Sequence, residues 1–139
     1  AGIRTIINGH DGAPARPDVS FIHQDYTESL DLPDQGFDLL VSLYAGFVSE
    51  HCTWYLRVGG TLLVNPSHGD AAMASIDRRY RLVGVVTSRS GAYRVSAEGL
   101  ERYLVPKQPA ELTPDVLHAR GRGIAYTRSP FAYLFERCR

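Results

Sequence analysis

The chain has 139 residues, the length of one ordinary domain, which argues against a second independent core. With 44% hydrophobic and 22% charged residues it has the composition of a folding chain, and the disordered, collagen-like and fibrous classes are excluded. Lys and Arg balance Asp and Glu at 15 each, so the net charge of zero gives no broad attraction for nucleic acid or anionic lipid, and no apolar run nears the ~20 residues of a membrane span.

Cys52 and Cys138 stand far apart and have no CxxC partner, so neither a disulfide framework nor a zinc knot is expected, and a reducing cytoplasm fits best. No basic segment followed by an apolar stretch and a small-residue cleavage site is visible at the start of these residues, so no secretory signal is expected from them. It starts Ala1-Gly2-Ile3 without Met and enters an apolar run at once, as expected of a longer polypeptide cut just before a strand.

Residues 3–8, with Ile3, Thr5, Ile6 and Ile7, are predicted as a strand that Gly9-His10-Asp11-Gly12 breaks. A loop with Pro14 and Pro17 leads to a second β-prone run, Val19-Ser20-Phe21-Ile22, which ends at Gln24-Asp25. Phe37-Asp38-Leu39-Leu40-Val41-Ser42-Leu43 is nearly continuous in apolar residues between Gly36 and Gly46, the pattern of a central strand buried on both faces. Phe47, Val48, Cys52, Tyr55 and Leu56 recur at spacings of three and four and predict a helix over 47–57, capped by Ser49 and stopped by Gly59. The turn Val58-Gly59-Gly60 then enters a second buried strand, Thr61-Leu62-Leu63-Val64-Asn65, completing a β-α-β unit.

A helix over 71–78 follows, then a hairpin of strands at 80–87 and 92–96. Residues 97–104 and 113–120 are predicted as short helices, the latter with Thr113 as N-cap and Pro114 at the first helical position. The last strand covers 131–137, with Pro130 tolerated only at its start. This order predicts an open α/β sheet with an antiparallel edge.

The phrase Phe37-Asp38-Leu39-Leu40-Val41-Ser42, a helix, and Leu56-Arg57-Val58-Gly59-Gly60-Thr61-Leu62-Leu63-Val64 resemble the paired fourth and fifth strands of a class I S-adenosylmethionine-dependent methyltransferase. Val58 stands where that family usually has Pro. Phe21-Ile22-His23-Gln24-Asp25 resembles its third strand, which ends in an Asp that recognises the adenine amino group, and residues 80–86 and 131–136 resemble its closing antiparallel pair. The resemblance implies a single methyltransferase-like domain over 1–139, an open, mostly parallel Rossmann-like sheet flanked by helices with an antiparallel strand pair at the C-terminal edge.

The family's first strand and glycine-rich turn do not occur in these residues, and Asn8 stands where its second strand usually ends in a ribose-binding acid. The domain is therefore expected to be incomplete at its N-terminus. A fragment of a longer enzyme, a truncated relative, and a homodimer or other partner that completes the amino-terminal part all fit this reading.

The implied cofactor is S-adenosylmethionine, with Asn8, Gln24, Asp25, Tyr26, Ser42 and Tyr44 as its binding residues. Asp25 at a strand's carboxyl end is placed either to accept the adenine amino hydrogen or to form a turn, and Tyr26 to stack on the base. Tyr44 can pack its ring against a sulfonium and bring its hydroxyl to the acceptor. His51 and His68 are candidate catalytic bases beside Tyr44.

The five histidines lack the spacing and acidic neighbours of a zinc site, so no metal is expected. In Ser67-His68-Gly69-Asp70 the Ser, His and Asp stand too close in sequence to assemble a hydrolytic triad. Arg78-Arg79 and the later Arg120, Arg122 and Arg128 are able to bind an acidic substrate, but the balanced acids argue for a solvated face. The Asn/Asp-Pro-Pro-Tyr phrase used on base or amide nitrogens is missing after the central strand, so the implied reaction is in-line methyl transfer to a small molecule. The competing expectation is a non-catalytic methyltransferase-like module for binding or dimerisation.

Overall fold

The computed structural model describes residues 2–139. Its first element, α1 (Gly2–Asn8), is a helix where a strand was expected, and it buries none of its residues. Ile3, Ile6 and Ile7 satisfy helical spacing as well as β propensity, and a backbone with no strand beside it finds its hydrogen-bond partners only within its own turns. Residues 9–36 contain no regular element, so the expected strand at 19–22 is not formed either, and Phe21 is 79% exposed.

The predicted strand β1 (Phe37–Ser42) forms, but at the edge of the sheet and largely exposed, not as a central strand buried on both faces. The helix after it, α2 (Val48–Cys52), ends well before residue 57; a 3-10 turn at Thr53–Tyr55 then opens directly into β2 (Leu56–Val64). Gly59 and Gly60, read as a turn, instead build a bulge within β2. Phe37 pairs with Leu56 but Leu39 with Thr61, so residues 57–60 bow out opposite Asp38. Gly59 has φ +79, and a Cβ at Gly60 would meet the Arg57 carbonyl oxygen at 2.8 Å, so both positions require glycine.

Helix α3 (Asp70–Ile76) leads to β3 (Tyr80–Arg89) and β4 (Ala92–Ser96), whose hairpin turns over Ser90 and Gly91 at φ 51 and 78. The predicted helix over 97–104 is a 3-10 segment, Leu100–Leu104. Helix α4 (Pro114–Arg120) follows the sequence closely: Thr113 Oγ1 accepts from the Val116 N–H at 3.3 Å and Gly121 closes the helix in the left-handed region. The last strand is β5 (Ala132–Arg137).

The five strands lie in the order β1-β2-β5-β3-β4 and curl into a half-barrel. Among the described residues only β1 and β2 run parallel; the pairings of β2 with β5, β5 with β3, and β3 with β4 are antiparallel. The sheet is therefore mixed and mostly antiparallel, which overturns the expected open, mostly parallel Rossmann-like sheet. The physical reason is connectivity: the two amino-terminal runs expected to add parallel strands do not pair, and β5 returns between β2 and β3 instead.

The core joins Leu62 and Val64 of β2, Val85 of β3, and Tyr133 and Phe135 of β5 to α3. Ala71, Ala72 and Ala74 on that helix are fully or almost fully buried, and such short side chains let a helix lie close to its sheet. The rings of Tyr133 and Phe135 stack at 6.1 Å, with Tyr80 edge-on to Phe135 at 6.4 Å. Arg137, 3% exposed, donates to the Thr53 and Leu56 carbonyls and so pins the end of β5 to the start of β2. At the opposite side β1 is an edge strand whose Phe37, Leu39 and Val41 are exposed. Among the described residues no helix is long and apolar enough to cross a membrane.

Phe135→Ala is expected to cost about 3–5 kcal/mol, because its cavity would lie between two rings and a helix that cannot collapse onto it. Urea unfolding followed by fluorescence measures this, and a loss below about 1 kcal/mol would mean that the packing around Phe135 is loose.

Candidate functional site

The carboxyl ends of β1 and β2 are organised by one buried carboxylate. Asp70, 1% exposed at the start of α3, accepts from Ser42 Oγ at 2.5 Å, from Ser49 Oγ at 2.5 Å and from the Ser49 N–H at 3.1 Å. Ser42 ends β1 and Ser49 opens α2, so this side chain fixes three elements to one another. No cation pairs with it among the described residues. Burial pushes its pKa up, and the hydrogen bonds from Ser42 and Ser49 offset that only in part.

Beyond Ser42 the chain turns sharply. Tyr44 has φ 54, a left-handed conformation that is costly for a bulky residue. It is held there by its N–H, which donates to Asn65 Oδ1 at 3.0 Å. The same oxygen accepts from Ser67 Oγ at 2.9 Å, and the Asn65 N–H donates to the Ser42 carbonyl at 3.3 Å. A backbone N–H can only donate, so the Asn65 atom facing Tyr44 is its oxygen and the amide nitrogen points elsewhere.

These residues form one wall of an open cleft of about 490 Å³. Arg122, Ser129 and Phe131 contribute to the rest of it, with Ile124 and Pro66 supplying apolar surface. The loop carrying Arg122 is pressed against the Pro66–Ser67 turn: the Gly123 N–H donates to the Ser67 carbonyl at 3.2 Å, and any Cβ on Gly123 would collide with the Pro66 carbonyl oxygen.

The residues expected from the sequence fall into separate groups. Tyr44 lines the cleft and is 67% exposed. Ser42 lies just beneath, its hydroxyl committed to Asp70. His68 follows cleft-lining Ser67, with its Nδ1 2.8 Å from the Ser67 hydroxyl. His51, on α2, packs edge-on to Tyr26 at 5.9 Å and stands 3.7 Å from Glu50.

Tyr26 is drawn to α2 because its hydroxyl sits against Gly46, and burial raises its pKa. Gln24 donates to the Ser29 carbonyl at 3.0 Å. Asp25 is exposed and closes a turn by accepting from Thr27 N at 2.9 Å and Thr27 Oγ1 at 2.8 Å, with the backbone bond lowering its pKa. Asn8 is exposed at the end of α1. Neither Asn8, Gln24 nor Asp25 lines the cleft.

Sequence reasoning misses Asn65 and sets Asp70 aside with the triad, whereas it names Arg122 among the arginines able to bind an acidic substrate and weighs that against a solvated face. Asn65 closes a strand and Asp70 opens a helix, positions where a polar residue is ordinary. Only their burial separates them from surface caps. Among the described residues there is no cluster of three metal-ligating side chains. No protein-family model, curated protein or solved structure matches the chain.

Because the folded-state pKa of Asp70 is raised, the native state takes up this proton at a higher pH than the unfolded chain does. Its contribution to stability is therefore largest at acid pH and is lost as pH rises through the folded pKa. Acidification from neutral toward the ordinary Asp value of about 3.9 is expected to stabilise the native protein relative to Asp70→Asn, which has no proton to gain. Paired urea titrations at two pH values measure the difference, and a relative loss in the native protein would contradict it. Asp70→Ala, which strands the donors of Ser42 and Ser49, is expected to cost about 2–4 kcal/mol at neutral pH.

Proposed function

We propose that this chain carries the acceptor side of an S-adenosylmethionine-dependent methyltransferase acting on a small molecule. The observation that carries this reading is the cleft at the carboxyl ends of β1 and β2, the place where ligands bind in sheets with parallel strands. Supporting it, the two phrases that resemble the family's paired strands do lie side by side in parallel, and the two that resemble its closing pair, β3 and β5, are antiparallel neighbours. The likeness is to that strand group alone. The amino-terminal segment adds nothing to the sheet.

The fit of these residues to S-adenosylmethionine is partial. Tyr44 offers an exposed ring and Asn65 a free amide donor in the cleft, whereas Asp25 and Asn8, the expected adenine and ribose partners, lie outside it. When bound, the cofactor supplies a methyl already activated on sulfur. The chain then has to orient the acceptor and exclude water, for which the rings of Tyr44 and Phe131 and the Pro66 turn are suited. His68, hydrogen-bonded to cleft-lining Ser67, is the better placed of the two histidines to take a proton from an acceptor. A cytoplasmic location, argued from the cysteines, belongs to the same reading; Cys52 is buried and Cys138 exposed, both free.

A second reading has its own support. The hydroxyl of Ser42 is occupied by Asp70, the remaining expected cofactor residues are dispersed, and the edge strand β1 leaves Phe37, Leu39 and Val41 exposed. These features favour a non-catalytic methyltransferase-like module that binds or dimerises.

Calorimetric titration with S-adenosylhomocysteine decides between the two. The enzyme reading expects binding tighter than roughly 100 μM, weakened about tenfold or more in Tyr44→Ala. No heat at millimolar ligand would overturn it in favour of the binding module.

A further inference from the structure

The cleft described above has a chemical bias that the methyl-transfer reading does not require. None of the residues lining it is acidic, and Arg122 makes no ion pair or side-chain hydrogen bond among the described residues. Asn65 lines the cleft with its oxygen committed to the Tyr44 N–H and the Ser67 hydroxyl, and its amide nitrogen, which has no acceptor among the described residues, is open to the cleft. An amide NH2 that faces a cleft with no protein acceptor is available to donate to a ligand oxygen there. The hydroxyl of Ser129 adds a further donor, while Phe131, Ile124 and Pro66 offer flat apolar surface.

We infer that this cleft binds a small, flat, apolar molecule bearing a carboxylate, with Arg122 pairing the carboxylate and the Asn65 amide donating to an oxygen of the same ligand. A guanidinium matches a carboxylate in shape and charge, and an amide NH2 can only donate, so both groups select for oxygen acceptors. The apolar walls hold the ring. The volume of about 490 Å³ suits a ligand of one or two rings. In calling this ligand the methyl acceptor the inference rests on the methyl-transfer reading; as a binding site it does not.

The test is an NMR titration of the whole chain with benzoate and with its uncharged counterpart benzamide, reading the Asn65 side-chain amide and the Gly123 backbone signal. Benzoate is expected to move both signals with a Kd of roughly 1 mM or tighter, and benzamide to bind about tenfold more weakly or less. Arg122→Gln, an exposed position, should remove that preference by weakening benzoate alone. Asn65→Asp keeps the oxygen that accepts from Tyr44 but turns the free donor into a negative acceptor, and should abolish benzoate binding while the strand amide signals stay in place.

Equal binding of the two compounds, unchanged benzoate affinity in Arg122→Gln, or no movement of the Asn65 amide overturns the inference. So does inorganic phosphate acting at the same or lower concentration, since the apolar walls would then play no part. Benzoate binds without any sulfur compound, so benzoate binding with S-adenosylhomocysteine silent would remove the methyl-transfer reading and leave the carboxylate site standing.

Discussion

The carboxylate of Asp70 is the constraint on which the cleft depends. Taking a carboxylate out of water costs several kcal/mol, and no cation among the described residues offsets that cost. The offset comes from donors alone: two serine hydroxyls and a backbone N–H at the start of α2. In return, the end of β1, the start of α2 and the start of α3 cannot shift independently. Thr53 extends the same knot toward the core, bonding the Tyr80 hydroxyl at 2.8 Å, and burial pushes the Tyr80 pKa up to about 12. That phenol stays neutral and acts as a hydrogen-bonding strut.

What the knot fixes is the position from which the chain leaves the sheet. Ser42 is held, so Leu43 and Tyr44 must turn out of the strand within two residues, and the left-handed Tyr44 is the result. Asn65 repeats the device from β2, using one side-chain oxygen to hold Tyr44 and Ser67 together. The opposing loop closes on this frame because Gly123 lets two backbones touch. The cleft is therefore rigid on the side of the parallel strands, and its free groups are those not used in building it: the Tyr44 ring, the Asn65 amide nitrogen and Arg122.

Much of the carboxyl-terminal part was legible because its signals were local. The apolar runs of β1 and β2, the Ser90-Gly91 turn, the Thr113 cap and Pro130 before β5 each name their structure within a few residues. The amino-terminal part misled for a physical reason. Ile3, Ile6 and Ile7 are β-prone, but a strand exists only when something pairs with it, and no run of residues states that. Gly59-Gly60 misled in another way, since glycines serve a bulge as well as a turn. The parallel sheet was extrapolated from one β-α-β unit, and the insertion of β5 between β2 and β3 is a long-range pairing with no local signature. At the site, Tyr44 is legible from its place after a strand and Arg122 from its charge, whereas Asn65 and Asp70 become visible only through burial and hydrogen-bond accounting.

The proposed methyl transfer requires an S-adenosyl ligand at the carboxyl ends of β1 and β2. Backbone amide shifts mapped across the whole chain on addition of S-adenosylhomocysteine read this out, with the largest changes expected at residues 42–46 and 65–69. Changes confined to the segment before β1, or none at saturating ligand, would contradict it.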